Sequence, residues 1–194
     1  LRISIILLLL AACGASDEEI DERVEVRVSE ISANIPDPTM TATSVPTARI
    51  TKITDGDTFW VTFDSGNREN IRILGVDAPE TYSSNSPNEY EGVTDTDCLD
   101  NWGNNATTFA IDILSEKIVQ VISDPLSDER DRFDRLLVYI HVDGRDFSSI
   151  LVESGFARVY RKYDYSRKSV YLAMEETAKL NKVGLWGCTS STSE

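Results

Sequence analysis

The sequence predicts a small α+β domain, a closed five-stranded β-barrel of OB type with three helices. Three observations predict it. Short segments rich in β-branched residues alternate apolar and polar positions, the pattern of half-buried strands. They come in the order three strands, helix, two strands, helix, helix, which suits a small closed barrel rather than an open parallel sheet. The 194 residues are 41% hydrophobic, enough for one core without a stabilising metal.

The elements follow in order. Residues 48–54, 58–64 and 70–76 read as strands, with a hairpin turn at Ser65-Gly66-Asn67 between the second and third. Residues 81–100 are rich in Ser, Asn and Asp and read as a long loop. Residues 101–115 carry Trp102, Ala106, Phe109, Ala110, Ile113 and Leu114 at helical spacing. Residues 117–122 and 135–142 are two more strands, and Asp143-Gly144 marks a turn. Residues 147–154 form a helix stopped by Gly155. Residues 169–182 form the last helix, ended by Gly184, with Leu185-Trp186 as an apolar clasp. The tail, 189–194, is polar and expected to fray.

The first thirteen residues join one Arg to a Leu/Ile-rich run and Leu10-Ala11-Ala12-Cys13. The run is short for a membrane span and has the form of a secretory signal. Its end resembles a bacterial lipobox, in which Cys13 takes the lipid; an ordinary signal peptide is the alternative. Residues 14–46 are first acidic, then rich in Pro, Thr and Ser, the composition of a solvated tether. The folded domain is therefore residues 47–188. Export makes Cys98 and Cys188 a candidate disulfide rather than two free thiols. The closed loop of roughly 90 residues would be worth about 4 kcal/mol. The expected location is a membrane-anchored lipoprotein on the cell surface or in the periplasm, or a secreted protein.

The net charge is −14. Eight acids against three bases in residues 1–46 leave the domain at −9. Long-range attraction to nucleic acid is therefore excluded as a source of affinity, but a local basic groove is not.

Chemistry concentrates in two segments. Asp55-Gly56-Asp57-Thr58 ends one strand-like run. Arg72-Ile73-Leu74-Gly75-Val76-Asp77-Ala78-Pro79-Glu80-Thr81 ends another. Asp-Gly-Asp alone is a common turn, and its acids alone would be read as structural. Together the segments bring oxygen ligands for a hard divalent cation and a guanidinium for phosphate, the parts of a metal-dependent phosphodiesterase. His141, the only histidine, lies in a strand and is expected to be structural.

Ordered with Asn101-Trp102-Gly103-x-x-Ala106, Asp131-Arg132-Phe133-Asp134-Arg135, Leu151 through Val159 and Gly184-Leu185-Trp186, these segments resemble the staphylococcal nuclease (thermonuclease) family over residues 48–187. The resemblance implies an OB-fold barrel with one bound calcium ion. It implies Asp57 and Asp77 as carboxylate ligands, the Ala78 carbonyl as a third, and Asp55 ordering them from behind. Glu80 matches the glutamate assigned as general base, and Arg72 and Arg135 match the phosphate-gripping arginines. Arg132 and Phe133 stand where the family usually has Lys-Tyr, and Asp134 where it has Gly. Asp134 would either weaken phosphate binding or face solvent. Arg158, Arg161, Lys162, Arg167 and Lys168 interleave with Tyr160, Tyr163 and Tyr165, a pattern suited to single strands; a solvated loop is the alternative. Tyr160 and Tyr163 are the expected nucleotide contacts.

The implied activity is a calcium-dependent endonuclease acting on DNA or RNA and leaving 3′-phosphate ends. The alternative is a non-catalytic nucleic-acid-binding or scaffold module of the same fold. The expected partners are nucleic acid and, through the lipid, a membrane; a monomer is expected.

Overall fold

The computed structural model describes residues 45–188. The expected signal segment with Cys13, the tether up to residue 44 and the tail from residue 189 lie outside the described residues.

Three antiparallel strands open the domain: β1 (Thr47–Ile53), β2 (Thr58–Phe63) and β3 (Arg68–Ile73). After the short β4 (Val76–Asp77) and helix α1 (Thr96–Leu114) come β5 (Ile118–Ile122) and β6 (Leu136–Val142). The sheet order is β3-β2-β1-β5-β6, and a parallel β3–β6 pairing closes it into a five-stranded barrel. A two-residue β7 (Arg145–Asp146) extends β6, leading into α2 (Phe147–Glu153). Then β8 (Arg158–Val159) pairs with β4, and α3 (Lys168–Leu180) and a 3₁₀ turn (Gly184–Gly187) close the domain.

Alternation explains the barrel interior. Ala48 and Ile50 of β1, Phe59 and Val61 of β2 and Ile71 and Ile73 of β3 all point inward and are buried. They share one cluster with Ala106, Ala110 and Leu114 of α1 and Phe147 and Leu151 of α2. Each fully buried Phe, Ile or Leu stabilises the fold by about 1.5–3 kcal/mol.

Three elements depart from expectation by more than one residue. Helix α1 begins at Thr96, not residue 101, because the Asp95 carboxylate caps it by accepting from Cys98 N at 2.9 Å. The expected strand 70–76 is split into β3 and β4 at Gly75, whose φ is +85°. A Cβ there would press on the Tyr165 and Tyr171 rings, at 2.6 and 2.9 Å. Only glycine accepts that conformation beside two tyrosines. The last helix runs from Lys168 to Leu180, ending two residues before the expected residue 182.

A second cluster lies under the polar loop before α1. Tyr90, Val93, Leu99, Ala178, Leu185 and Trp186 pack there, with Trp102 and Val183 partly covered. Cys98 and Cys188 are joined as a disulfide, with Cα atoms 5.9 Å apart. It ties the first turn of α1 to the end of the 3₁₀ turn. No described helix is long and apolar enough to cross a membrane.

Candidate active site

The site forms where three local structures meet: the β1–β2 turn, the β3–β4 turn, and the segment leading into β6. The Asp55 carboxylate accepts from Asp57 N at 3.1 Å and so closes the β1–β2 turn. Asp57 is 1% exposed, so its charge must be satisfied within the protein. One oxygen, Oδ2, accepts from Ala78 N at 2.7 Å, and Oδ1 accepts from the Thr58 hydroxyl at 3.1 Å. The Asp57 carboxylate thus fixes the start of the Ala78-Pro79-Glu80 segment.

Arg72 bridges the two expected metal ligands. Its Nη1 pairs with Asp57 Oδ1, and its Nη2 donates to Asp77 Oδ1 at 2.5 Å. The other Asp77 oxygen accepts from Arg158 Nε and Nη2 at 2.9 and 2.6 Å. Arg135 stands on the far side of Thr58. Its Nη1 donates to Thr58 Oγ1 at 3.3 Å, while Asp131 Oδ2 holds its Nε at 2.8 Å. A hydrogen-bonded line therefore runs Arg135–Thr58–Asp57–Arg72–Asp77–Arg158. Burial pushes Asp131 up, but its bonds from Arg135 outweigh that and hold it below the usual range.

Glu80 is the exposed acid of the group. Burial of its carboxyl, then the charges of Asp55 and Asp77, raise its pKa, with Arg72 opposing. Burial likewise raises Asp55, against Arg72. Asn85 steadies the Glu80 backbone, donating to Glu80 O and accepting from Glu80 N, and its amide also reaches Asp100 at 2.7 Å. Helix α1 supports the same segment from below. A Cβ on Gly103 would stand 2.7 Å from Pro79 O and 2.8 Å from Glu80 O. Backbone atoms cannot yield as a flexible side chain would, so Gly103→Ala is expected to displace Glu80. The expected result is at least a tenfold lower kcat with the barrel intact by circular dichroism.

Among the described residues no three His, Cys, Asp or Glu side chains form a ready metal cage. The available donors are two carboxylates, Asp57 and Asp77, and backbone carbonyls. Only oxygens converge, and burial, with the charges of Asp55 and Asp77 behind it, raises Glu80 beside them. That donor set fits a hard divalent cation, which would take over charge balance now supplied by the arginines.

The tyrosine-rich basic run is reorganised. Tyr165 is buried and donates its hydroxyl to Gly75 O at 3.0 Å, so it is core and not a nucleotide contact. Arg161 pairs with the buried Glu175 at 2.5 Å, Arg167 with Asp146 at 2.7 Å and Lys168 with Asp164 at 2.9 Å. Of the five bases, Lys162 alone has no ion pair among the described residues. Tyr160 and Tyr163 stay together, rings 6.0 Å apart, with Tyr163 exposed. Phe133 is also exposed, with the Arg132 and Arg135 guanidiniums 4.6 and 5.3 Å from its ring centre. Asp134 takes φ +62°, a conformation natural to glycine, and its carboxylate faces solvent toward Arg130 rather than Arg135. His141 contacts Arg167 at 2.9 Å, and burial and that guanidinium lower its pKa.

Sequence reasoning missed Thr58, Asp131, Arg158, Glu89 and Tyr90 as supports. Asp131, four residues before Arg135, was a readable ion-pair signal. Arg158 was not, because its partner Asp77 is 81 residues away.

A protein-family model described as "Staphylococcal nuclease homologue" matches residues 70–188. The chain is 36% identical over 152 residues to an uncharacterized protein of Methanocaldococcus jannaschii, covering 74% of this chain and 72% of that one. It is 31% identical over 143 residues to a thermonuclease of Staphylococcus hyicus, covering 72% and 75%. The SPbeta prophage-derived endonuclease YokF of Bacillus subtilis is 32% identical over 134 residues, and there the chain spans only 41% of the relative's length.

Proposed function

We propose that this chain, which belongs to the staphylococcal nuclease homologue family, is a calcium-dependent endonuclease cleaving phosphodiester bonds of DNA or RNA. The observation that carries the reading is the bonded line of Asp57, Arg72 and Asp77 with Arg135 attached through Thr58. This line joins the two carboxylates proposed to hold the cation to two guanidiniums, which supports the reading.

Asp57, Asp77 and the Ala78 carbonyl would hold calcium, which supplies fixed positive charge beside the phosphate. Glu80 orients the attacking water and takes its proton; its raised pKa makes it the better base. Arg72 and Arg135 match the negative charge that grows on the equatorial phosphate oxygens. Water attacks phosphorus opposite the 5′-oxygen, the P–O5′ bond breaks with its electron pair going to O5′, which takes a proton from solvent, and the phosphate remains on the 3′ side. Arg132, Phe133, Tyr160 and Tyr163 form the rim that meets the nucleotide. Export, with lipid on Cys13 holding a monomeric domain at a membrane, completes the proposal.

The test is a calcium-dependent digest of single- and double-stranded DNA and RNA with analysis of the ends. The expected products resist polymerase extension until a phosphatase removes the 3′-phosphate. Products extended without phosphatase would contradict the assigned direction of attack. Calcium binding without cleavage of any substrate would favour the non-catalytic module instead.

A further inference from the structure

We propose that the outer face of β1–β3 is a track for single-stranded nucleic acid leading into the candidate site; this rests on the nuclease reading above. The Trp60 ring, with the Arg68 guanidinium over it, is its stacking platform, and Lys52 and Arg68 are its phosphate contacts.

The register builds the track. The core-facing residues of these strands are buried, so their neighbours point outward. Across β2 and β3, Thr58 faces Arg72, Trp60 faces Asn70 and Thr62 faces Arg68. Across β1 and β2, Lys52 faces Trp60 and Arg49 faces Thr62, with an irregularity between Ile50 and Lys52 that turns Lys52 outward. Three rows result. Thr58 and Arg72 make the first, which belongs to the candidate site. The second is Lys52–Trp60–Asn70 and the third Arg49–Thr62–Arg68. Rows two residues apart along a strand lie about 7 Å apart, so the track extends at least about 13 Å from Arg72.

Its charge is unusual for this domain. Ten described Lys and Arg side chains form ion pairs. Of those that form none among the described residues, Arg49, Lys52 and Arg68 share this face, Arg49 also donating to Glu116 O at 2.8 Å, while Arg132, Lys162 and Lys182 lie elsewhere. The Arg68 guanidinium lies 4.6 Å over the Trp60 ring. A base can stack on an aromatic ring or on a guanidinium plane, and Lys52 and Arg68 flank this platform as phosphate partners. Asp64, which accepts from the Thr47 hydroxyl at 3.2 Å, marks the acidic far end. Continuity with Arg72 and the stacked cation select a nucleic acid strand over an acidic peptide, which has no base to stack.

The experiment compares the full chain with Lys52→Glu/Arg68→Glu and, separately, Trp60→Leu. Anisotropy of labelled single-stranded DNA and RNA, each about 16 nucleotides, is followed across a salt series with chelator present. The double variant is expected to weaken binding at least tenfold. It should also reduce the salt slope by about 1.4, the share of two phosphate contacts on a single strand. Trp60→Leu should weaken binding with the slope unchanged. In calcium, KM for the long strand should rise with kcat unchanged, and dinucleotide cleavage should not change. Unaltered affinity and slope in the double variant would overturn the track, even where both strands are still cut. Affinity lost in the variant while the parent chain cuts nothing would keep the track and overturn hydrolysis. The DNA and RNA arms show which strand the track takes.

Discussion

Arg135→Ala is expected to lower kcat for DNA cleavage about a hundred- to a thousand-fold, the loss typical of one donor to a developing oxyanion. The structure explains why the effect should fall on chemistry. Asp131 grips the Arg135 Nε and Nη2, which leaves Nη1 on Thr58 beside Asp57. The guanidinium is thus oriented before substrate arrives. Without it, Asp131 still accepts from the backbone N–H groups of Phe133 and residue 135. The melting temperature should therefore fall by only a few degrees. Arg135→Lys keeps the charge but loses the fork, and should recover only part of the rate. Steady-state kinetics beside thermal melts check this. A variant with kcat near that of the parent chain would remove Arg135 from the site.

Breaking the disulfide is expected to have the largest effect on stability. Cys98 and Cys188 are 90 positions apart, so Cys98→Ser/Cys188→Ser should cost about 4 kcal/mol on the chain-entropy account. For a domain of this size that is about 12 °C in melting temperature. The cross-link also clamps the cluster beneath the loop that carries Glu89 and Tyr90. Tyr90 donates to Asp77 O at 3.3 Å, and its ring lies 4.8 Å below the Arg158 guanidinium. Arg158 in turn pairs with Glu89 at 3.1 Å and with Asp77. Loosening this cluster should therefore weaken cation binding as well as stability. Melts with and without reductant, and a calcium titration of the double variant below its melting temperature, check both parts. An unchanged melting temperature on full reduction would contradict the first.

The barrel was legible because its first strands alternate over most of their length, so local pattern and final burial coincide at Ile50, Phe59, Val61 and Ile71. The start of α1 was not, because Thr96, Asp97 and Cys98 have loop-like composition and the cap on Asp95 is one hydrogen bond. At the candidate site, the acids, Arg72 and Arg135 drew their expected roles from short motifs. Thr58, Asp131 and Arg158 stand in those motifs too, but their supporting contacts were not readable there. Arg158 meets Asp77 through the β4–β8 pairing, a long-range register that no local period encodes. The burial of Tyr165 was not legible in its interleaved basic run. Its neighbours in sequence are charged, but its ring fills space against Gly75 and Tyr171 in the core.

Asp57 and Asp77 are proposed to hold the cation on which cleavage depends. The direct measurement is the rate of DNA cleavage by the full chain across a calcium titration, with Asp57→Ala and Asp77→Ala in parallel. The rate is expected to saturate with calcium, disappear in chelator, and fall at least about a hundred-fold in either variant. Undiminished cleavage in chelator, or by either variant at the parent calcium dependence, would contradict it.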